Sequence, residues 1–351
     1  MNIIGCDLHP RYQVVAWVDE ETGEIRTRRL EHGKEEVQAF YVGWPRGARI
    51  GIEATFPALW FERLLAECGH ELWVGDAAQI RAKAVWQQKT DTRDALHLLD
   101  LLLTNRFPRI WVPSVAERDL RQLLVHRMKL VRVRTLVKNQ LHALAMSQGV
   151  CRKRKLWSVR GRAELQSLAL LPWASRRRHE LLAWLDQLEA AIAPLDRAVA
   201  EEAEARAEAR LLMTHPGVGP VVSLAFVLTV GRVERFAHSG KLVSYLGLNP
   251  REHSSGGRQR LGAISKQGNS MLRWLLVEAA QTAAWRDEEL HRAYLRLKFR
   301  RASGVAKVAI ARRLAVRLYW MLRERKDYAQ LVRMSGSPSS AVVPQEAGSK
   351  V

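Results

Sequence analysis

Four carboxylates in the first hundred residues are spaced so that they could share a metal ion. Asp7 interrupts the apolar run NIIGCDL and Glu53 interrupts ARIGIEAT, although a carboxylate in an apolar strand is normally costly. Asp91 and Asp94 follow in KTDTRDA, three residues apart and therefore on one face of a predicted helix. Such acids are often turn residues or part of a solvated helix face, but four acids brought together would repel without cations. Because oxygen ligands suit Mg²⁺ or Mn²⁺, the pattern predicts a divalent-metal site of the kind used in phosphoryl transfer.

A second candidate reactive group lies in the loop REHSSGGRQR, residues 251–260, which places serines among cations. A serine hydroxyl attacks a phosphodiester only when a partner takes its proton and the crowded phosphate is stabilised. The cations that could contact a phosphate here are Arg251, Arg258, Arg260 and, just before the next predicted helix, Lys266. Taken alone, SSGG is more typical of an ordinary loop, so both interpretations stay open on these residues.

The elements that must position the carboxylates follow from the hydrophobic pattern of residues 1–110. Short apolar runs and a period-two stretch predict three consecutive strands, after which helices alternate with two further strands and a last helix. Consecutive strands fit a meander, and strands separated by helices fit parallel crossovers. This order predicts an α/β domain with a ribonuclease-H-like (RuvC-like) fold, in which the strands that carry Asp7 and Glu53 are neighbours.

The region 111–211 is predicted to be helical and strongly basic. A long amphipathic helix from about residue 115 to 150 carries cations opposite its leucines, and we expect it to bind nucleic acid through phosphates. Its candidate contacts are Arg127, Arg132, Arg134 and Lys138. Between residues 181 and 199, leucine, isoleucine and valine recur at heptad spacing around Pro194, which predicts a coiled-coil seam. The seam could join two helices of this chain or two subunits.

Residues 212–328 are predicted to form a mainly α-helical C-terminal domain, followed by a disordered tail at 329–351. The domain opens with HPGVGPVVSLA, whose Pro-Gly-x-Gly turn before a helix is typical of helix-hairpin-helix modules that hold a phosphate at a helix N-terminus. A tight turn between two packed helices is the alternative interpretation.

Composition narrows the class of partner. Among 351 residues, 56 Lys and Arg against 36 Asp and Glu give a formal charge of +20, which favours a polyanion as partner and nucleic acid above a membrane surface. No apolar run approaches the roughly 20 residues of a spanning helix, and no export signal is visible. The three cysteines are far apart without metal-site spacing, so we expect a cytoplasmic, nucleoid-associated protein.

These motifs resemble those of one known family. IGCDLH, GIEAT and KTDTRDA are similar to the acidic motifs of the DEDD transposases of the IS110 insertion-sequence group, with its IS1111 branch, and residues 215–280 resemble the C-terminal transposase domain of that family. The resemblance covers nearly the whole chain except the tail. It implies an enzyme that cuts and rejoins DNA through a covalent phosphoserine link, with donor and target DNA selected by a structured guide (bridge) RNA.

The resemblance also implies which residues act. The family's serine directly precedes a glycine, which selects Ser255, with Ser254 as the alternative in the doubled serine. It further implies a homo-oligomer, a dimer or tetramer, in which the acidic domain of one subunit completes a site with the serine domain of another. Two other functions are considered: a metal-dependent junction-resolving nuclease that uses water, and a nucleic-acid-binding protein without catalysis.

Overall fold

The computed structural model describes residues 2–33, 35–54, 58–84, 90–152, 155–254 and 260–336. The chain divides into two compact units, Met1–Val112 and Pro113–Val351. The first is a mixed α/β unit and the second is almost entirely helical, as the sequence predicts at this level. No helix within the described ranges is both long enough and apolar enough to cross a bilayer.

The first unit is built on a five-stranded sheet in the order β3-β2-β1-β4-β5. The first three strands pair antiparallel, and β4 joins β1 and β5 in parallel. Its elements are β1 (Ile3–Leu8), β2 (Tyr12–Val18), β3 (Ile25–Glu31), α1 (Glu36–Val42), β4 (Arg49–Glu53), α2 (Leu59–Glu67), β5 (Glu71–Gly75), α3 (Ala77–Ala82) and α4 (Asp91–Leu103). The predicted element order is therefore confirmed for these strands and helices.

Alternate side chains of a strand point to opposite sides, so both faces of this sheet carry side chains that helices can cover. One face carries Ile4, Cys6, Ile50 and Ile52, which pack with α1 and α2 into a buried core. The other face carries Val14 and Ala16 of β2, which pack against Ala95 and Leu99 of α4. Helix α4 thus lies directly over the centre of the sheet.

The second unit combines long helices with one small hairpin. Its elements are α5 (Val115–Ser147), α6 (Val159–Ser167), α7 (Pro172–Ala205), α8 (Ala207–Met213), α9 (Pro220–Val230), a 3-10 helix (Val233–Arg235), α10 (Ser239–Tyr245), β6 (Pro250–Glu252), β7 (Leu261–Ile264), α11 (Ser270–Arg286), α12 (Glu288–Arg300), α13 (Ser303–Glu324) and α14 (Tyr328–Gly336). Ser114 begins α5 with a reciprocal capping box to Glu117. The boundary proposed between residues 211 and 212 lies inside α8.

The heptad seam of α7 is buried within the chain. Leu181 and Leu185 pack with Val137 and Leu141 of α5 in one cluster, and Val199 belongs to the larger core of the second unit. Helix α7 is continuous through Pro194, so this proline does not divide the helix. The contact between two helices of one chain accounts for the seam.

The prediction of a disordered tail at 329–351 was wrong for its first part, because α14 continues to Gly336. The Tyr328 hydroxyl donates a hydrogen bond to the Asp287 carboxylate, and Leu331 packs against the main core. Tertiary contacts thus order the first residues of the segment that was predicted to be disordered. Residues 337–351 lie outside the described residues.

The Pro-Gly-x-Gly turn connects α8 to α9 and packs against α11. Gly217 has a φ of +91°, and a Cβ there would lie 2.7 Å from the Ala283 backbone nitrogen. His215 at the start of the turn is buried, and burial lowers its pKa from 6.5 to about 4. These contacts are those of a tight turn between packed helices, and the helix-hairpin-helix interpretation stays a prediction.

Candidate functional site

Asp7 and Glu53 lie at the same edge of the sheet, at the carboxyl ends of two neighbouring parallel strands. The register of β1 and β4 pairs Cys6 with Ile52, and each carboxylate is the next residue of its strand. Side-chain alternation places Gly5 and Asp7 on the face that α4 covers. The sequence pattern therefore predicted correctly that the two acidic strands are adjacent.

Glycine in β1 lets α4 approach this edge closely. A Cβ at Gly5 would lie 2.3 Å from the Ala95 carbonyl oxygen and 2.5 Å from the Leu99 nitrogen, so any larger residue would push α4 away from β1. Helix α4 begins at Asp91, where the Thr90 side chain accepts a hydrogen bond from the Arg93 backbone N–H. The first turn of α4, which carries Asp91 and Asp94, is thereby held beside Asp7.

Three potential ligands converge at this point: Asp7, His9 and Asp91, whose ligand atoms all lie within 4.8 Å of one another. His9 Nε2 is 3.0 Å from Asp7 Oδ2 and 3.6 Å from Asp91 Oδ1. The Tyr12 hydroxyl donates a 2.8 Å hydrogen bond to Asp91 Oδ2 and its ring stacks on His9. Arg29 in turn lies over the Tyr12 ring, 3.6 Å from its centre. We call Asp7, His9 and Asp91 the acidic cluster.

His9 was missed by the sequence analysis. Its only signal was its position two residues after Asp7, which in an extended strand places both side chains on one face. Glu53 and Asp94 do not belong to the acidic cluster among the described residues. Glu53 Oε1 lies 3.9 Å from Arg81 Nη2, and Asp94 is close enough to Asp7 to repel its charge.

The pKa of Asp7 is raised above its usual value. Burial of the carboxyl group is the largest cause; the neighbouring His9 offsets it in part, and the charges of Asp94 and Asp91 add to it. A hydrogen bond to Asp91 and burial likewise raise the pKa of Tyr12. The site therefore concentrates negative charge at a partly buried position, which a bound cation would relieve.

A polar depression opens beside the acidic cluster. It is lined by the edge strand β3 and the start of α4, including Arg28, Arg29, Thr90, Asp91 and Thr92. Cations and hydroxyls next to a cluster of carboxylates suit a bound phosphate better than an apolar ligand.

The candidate serine loop falls between β6 and β7 in the sequence. Ser255 and Arg258, with Gly256 and Gly257, lie outside the described residues. At the base of the loop the Ser254 hydroxyl donates a 2.6 Å hydrogen bond to Glu252 Oε1 and accepts one of 3.1 Å from the Arg260 backbone N–H. Ser254 thus links the two sides of the hairpin.

The cations around this loop differ in their surroundings. Arg251 is exposed and donates a weak 3.4 Å hydrogen bond to the Ser265 carbonyl, and the Arg260 side chain is exposed. Lys266 adopts a left-handed backbone conformation with a φ of 58°, next to Gly268 with a φ of 68°. All three cations are therefore exposed around the base of the hairpin.

The four predicted cations of α5 fall into two classes. Arg127 forms an ion pair with Asp196 of α7, and Lys138 Nζ lies 2.9 Å from Glu189 Oε1 of the same helix. Their charge is therefore already matched within the α5–α7 pair. Arg132 is exposed and Arg134 is half-buried on the remaining surface of α5, where a phosphate could reach them.

Comparisons with known proteins match two segments of the chain, one that contains the carboxylates and one that contains the serine loop. A transposase model of the DEDD IS110 type matches residues 4–147, and a model described as the transposase IS116/IS110/IS902 family matches residues 209–296. The first contains all four predicted carboxylates, and the second contains the serine loop.

Full-length relatives extend this similarity to most of the chain. A protein of Pseudomonas aeruginosa described as a probable family 20 transposase is 30% identical over 344 residues, which cover 93% of this chain and 98% of the relative. The transposase for insertion sequence element IS1111A of Coxiella burnetii is 26% identical over 93% of this chain and 91% of its own length. The transposase for insertion sequence element IS1328 of Yersinia enterocolitica is 26% identical over 78% of this chain and 83% of its own. The chain therefore belongs to the IS110 family of DEDD insertion-sequence transposases, enzymes that act on DNA.

Proposed function

We propose that this transposase cuts and rejoins DNA strands by phosphoryl transfer, with a divalent-metal site at the acidic cluster and with Ser255 as nucleophile. The observation that carries the proposal is the convergence of Asp7, His9 and Asp91 at the carboxyl edge of β1. The same proposal assigns the first unit to the ribonuclease-H-like (RuvC-like) fold.

The donor set fits a divalent cation. Two carboxylates, with Glu53 and Asp94 nearby, supply oxygen ligands that suit Mg²⁺ or Mn²⁺, and an imidazole favours Mn²⁺ of the two. The raised pKa of Asp7 supports this, because a site that penalises its own negative charge gains from a cation. When bound, the cation would supply positive charge that stabilises a phosphate in its crowded transition state.

In the proposed reaction the Ser255 hydroxyl oxygen attacks a DNA phosphorus atom. A bond forms from that oxygen to phosphorus, the bond from phosphorus to one DNA oxygen breaks, and the serine proton ends on the leaving DNA hydroxyl. A hydroxyl of a second strand then attacks the same phosphorus and restores the serine. Ser254 supports the register of this assignment, because its hydroxyl already holds the base of the loop together.

The remaining predicted residues are proposed to bind phosphates of nucleic acid. Arg251, Arg258, Arg260 and Lys266 would hold DNA at the serine loop, and Arg132 and Arg134 would contact nucleic acid along α5. Arg127 and Lys138 would support α5 through their ion pairs with α7. We further propose that a guide RNA of the element selects donor and target DNA and that the enzyme acts as a dimer or tetramer.

A denaturing gel tests the chemistry directly. Labelled DNA carrying the ends of the element, incubated with Mn²⁺, the full chain and RNA transcribed from the DNA that flanks the gene, should become covalently attached to the protein. Peptide mapping should locate the phosphate on Ser255. Ser254→Ala is the matched control: it removes two hydrogen bonds at the base of the loop and should lower the yield, but the adduct on Ser255 should persist. Strand cleavage that needs metal but survives in Ser255→Ala without any adduct would instead establish a nuclease that uses water.

The guide RNA has its own test. RNA transcribed from the DNA that flanks the gene should purify with the protein, and altering its unpaired bases should redirect recombination to a matching target. Recombination that is unchanged after complete removal of RNA would contradict this part of the proposal while leaving the phosphoryl-transfer chemistry intact.

A further inference from the structure

Helix α12 has one face buried in the second unit and an opposite face open to solvent. Its inward stripe is Leu290, Ala293, Tyr294 and Leu297, all of which pack in or against the main core. The outward side chains at helical spacing are Arg292, Leu295, Arg296 and Phe299. Three further exposed cations lie next to Phe299 in the sequence, namely Lys298, Arg300 and Arg301. We call these seven residues the α12 outer face.

Phe299 is the feature that needs an explanation. Its side chain is 93% exposed, on the last turn of α12 and flanked by Lys298 and Arg300. A large aromatic ring left in water forgoes the favourable free energy of burial that its neighbour Leu297 obtains. A ring in this position between cations is therefore suited to a partner that offers both a flat apolar surface and negative charge.

The charge around Phe299 is positive over a long stretch. From Leu290 to Arg323 the sequence has no Asp or Glu and ten cations, namely Arg292, Arg296, Lys298, Arg300, Arg301, Lys307, Arg312, Arg313, Arg317 and Arg323. Two of these are engaged at the start of α12: Arg292 lies 3.7 Å from Glu288, and Arg317 pairs with Asp287 and Glu289. No ion pair within the described residues involves Arg296, Lys298, Arg300 or Arg301, so the unmatched charge surrounds Phe299.

Hydrogen bonds and an ion pair fix the N-terminal end of α12. Asp287 caps α12 by accepting a hydrogen bond from the Leu290 backbone N–H, and it also receives hydrogen bonds from Arg317 and Tyr328. Although burial alone would raise it, the pKa of Asp287 is lowered by these hydrogen bonds and by the Arg317 charge, so the carboxylate stays ionised. A rigid helix presenting a ring and cations loses little entropy when it binds a ligand.

We propose that the α12 outer face binds an unpaired DNA strand, with Phe299 stacked on one base and Arg296, Lys298, Arg300 and Arg301 on the phosphates. Every base offers a flat π-face, and stacking on an exposed aromatic ring beside cations is how proteins hold single strands without reading sequence. In duplex DNA both faces of each base are covered by its neighbours, so the ring would have no comparable surface. An enzyme that acts on DNA strands supplies such a ligand, and this binding does not depend on the acidic cluster.

An anionic membrane surface fits the same residues less well. A helix that lies in a membrane interface buries a continuous apolar face in the lipid, whereas the apolar face of α12 is already packed in the protein core. Only Leu295 and Phe299 remain outside, set among cations. Flat π-surface and phosphate charge together are properties of an unpaired nucleic acid strand.

Fluorescence anisotropy with the full chain in EDTA tests the proposal. Phe299→Ala should weaken binding of a labelled oligothymidylate about ten-fold and leave the affinity for duplex DNA of the same length unchanged. Phe299→Trp should retain the affinity, whereas Phe299→Leu should lose it, because an apolar contact without a ring cannot stack. Replacing both Arg300 and Arg301 with Ala should flatten the log–log salt dependence on the single strand by about 1.4.

Several results would overturn the proposal. An unchanged single-strand affinity in Phe299→Ala, an equal loss on duplex DNA, or an unchanged single-strand affinity in Phe299→Leu would each exclude stacking. If the protein bound RNA far more tightly than DNA of the same sequence, and Phe299→Ala lost that binding, the ligand of the α12 outer face would be RNA and not DNA. Phe299-dependent binding to anionic phospholipid vesicles would show a membrane surface instead. Trp173→Ala, which removes a similarly exposed ring on α7, is the control and should leave both affinities unchanged.

Discussion

A single methyl group added at Gly5 should displace the helix that carries half of the predicted carboxylates. The new Cβ of Gly5→Ala would lie 2.3 Å from the Ala95 carbonyl oxygen and 2.5 Å from the Leu99 nitrogen, both on α4. Ordinary contacts begin near 3.4 Å, so the helix and strand must separate by about 1 Å. Both obstructing atoms belong to the backbone, and a change of side-chain rotamer cannot relieve them.

The consequence for the site follows from what α4 holds. Overpacking of this kind costs about 1–3 kcal/mol of stability, which a two-unit protein should survive. A shift of about 1 Å in Asp91 relative to Asp7 can nevertheless cost roughly 100-fold in rate, because catalytic geometry tolerates little misplacement. We expect Gly5→Ala to fold, to bind Mn²⁺ more weakly and to lose about two orders of magnitude in DNA strand cleavage.

The assay is cleavage of end-labelled element DNA under single-turnover conditions, with thermal unfolding of the same samples. Gly33→Ala is the matched control, since no atom lies within 4 Å of the Cβ it adds. If Gly5→Ala cleaved DNA at the full rate with unchanged Mn²⁺ affinity, the claim that close packing of α4 on β1 positions the site would be refuted.

Three further predictions concern charge. Burial and the charge of Asp94 raise the pKa of Asp7, so the folded state loses stability as the pH rises through that pKa. Asp7→Asn should therefore raise the unfolding temperature of the metal-free protein at pH 7 while abolishing cleavage. His215 has a pKa lowered from 6.5 to about 4 by burial, so only the unfolded chain binds its proton between these values. The second unit should lose up to about 3 kcal/mol over that fall in pH, and His215→Gln should remove the dependence. Neutralising Arg132 and Arg134 should reduce the slope of the log–log salt dependence of duplex binding by about 1.8. Arg127→Ala should instead mainly lower the unfolding temperature, since it leaves Asp196 of α7 unpaired. Equal effects of the two changes on duplex binding would contradict this division.

The sheet of the first unit was predictable because its strands are short apolar runs separated by turns or helices. Asp7 and Glu53 could be placed together once β1 and β4 were assigned as parallel neighbours. His9 could not be identified, because its role depends on Asp91, which is 82 positions later and reaches it only through the packing of α4 on Gly5. A close approach between backbones leaves no periodic signal in the sequence.

The second unit shows the same limit. Seven-residue spacing indicated the seam of α7, but only the structure identifies α5 as the partner of Leu181 and Leu185. The sequence placed the cations of α5 on one side of the helix. It could not show that Arg127 and Lys138 form ion pairs with carboxylates of α7 more than fifty positions downstream. Helix α14 was missed because its order comes from Tyr328 and Leu331 contacting the core. Local composition carries no record of such distant partners.

The central claim is that the acidic cluster binds a divalent cation, and a Mn²⁺ titration of the full chain followed by electron paramagnetic resonance tests it most directly. Wild-type protein should bind Mn²⁺, and Mg²⁺ should compete. Asp7→Asn and Asp91→Asn should each lose the high-affinity site, whereas Asp100→Asn, which changes an exposed carboxylate on the same helix that pairs with Arg106, should keep it. Equal Mn²⁺ affinity in Asp7→Asn, Asp91→Asn and the wild type would contradict the account.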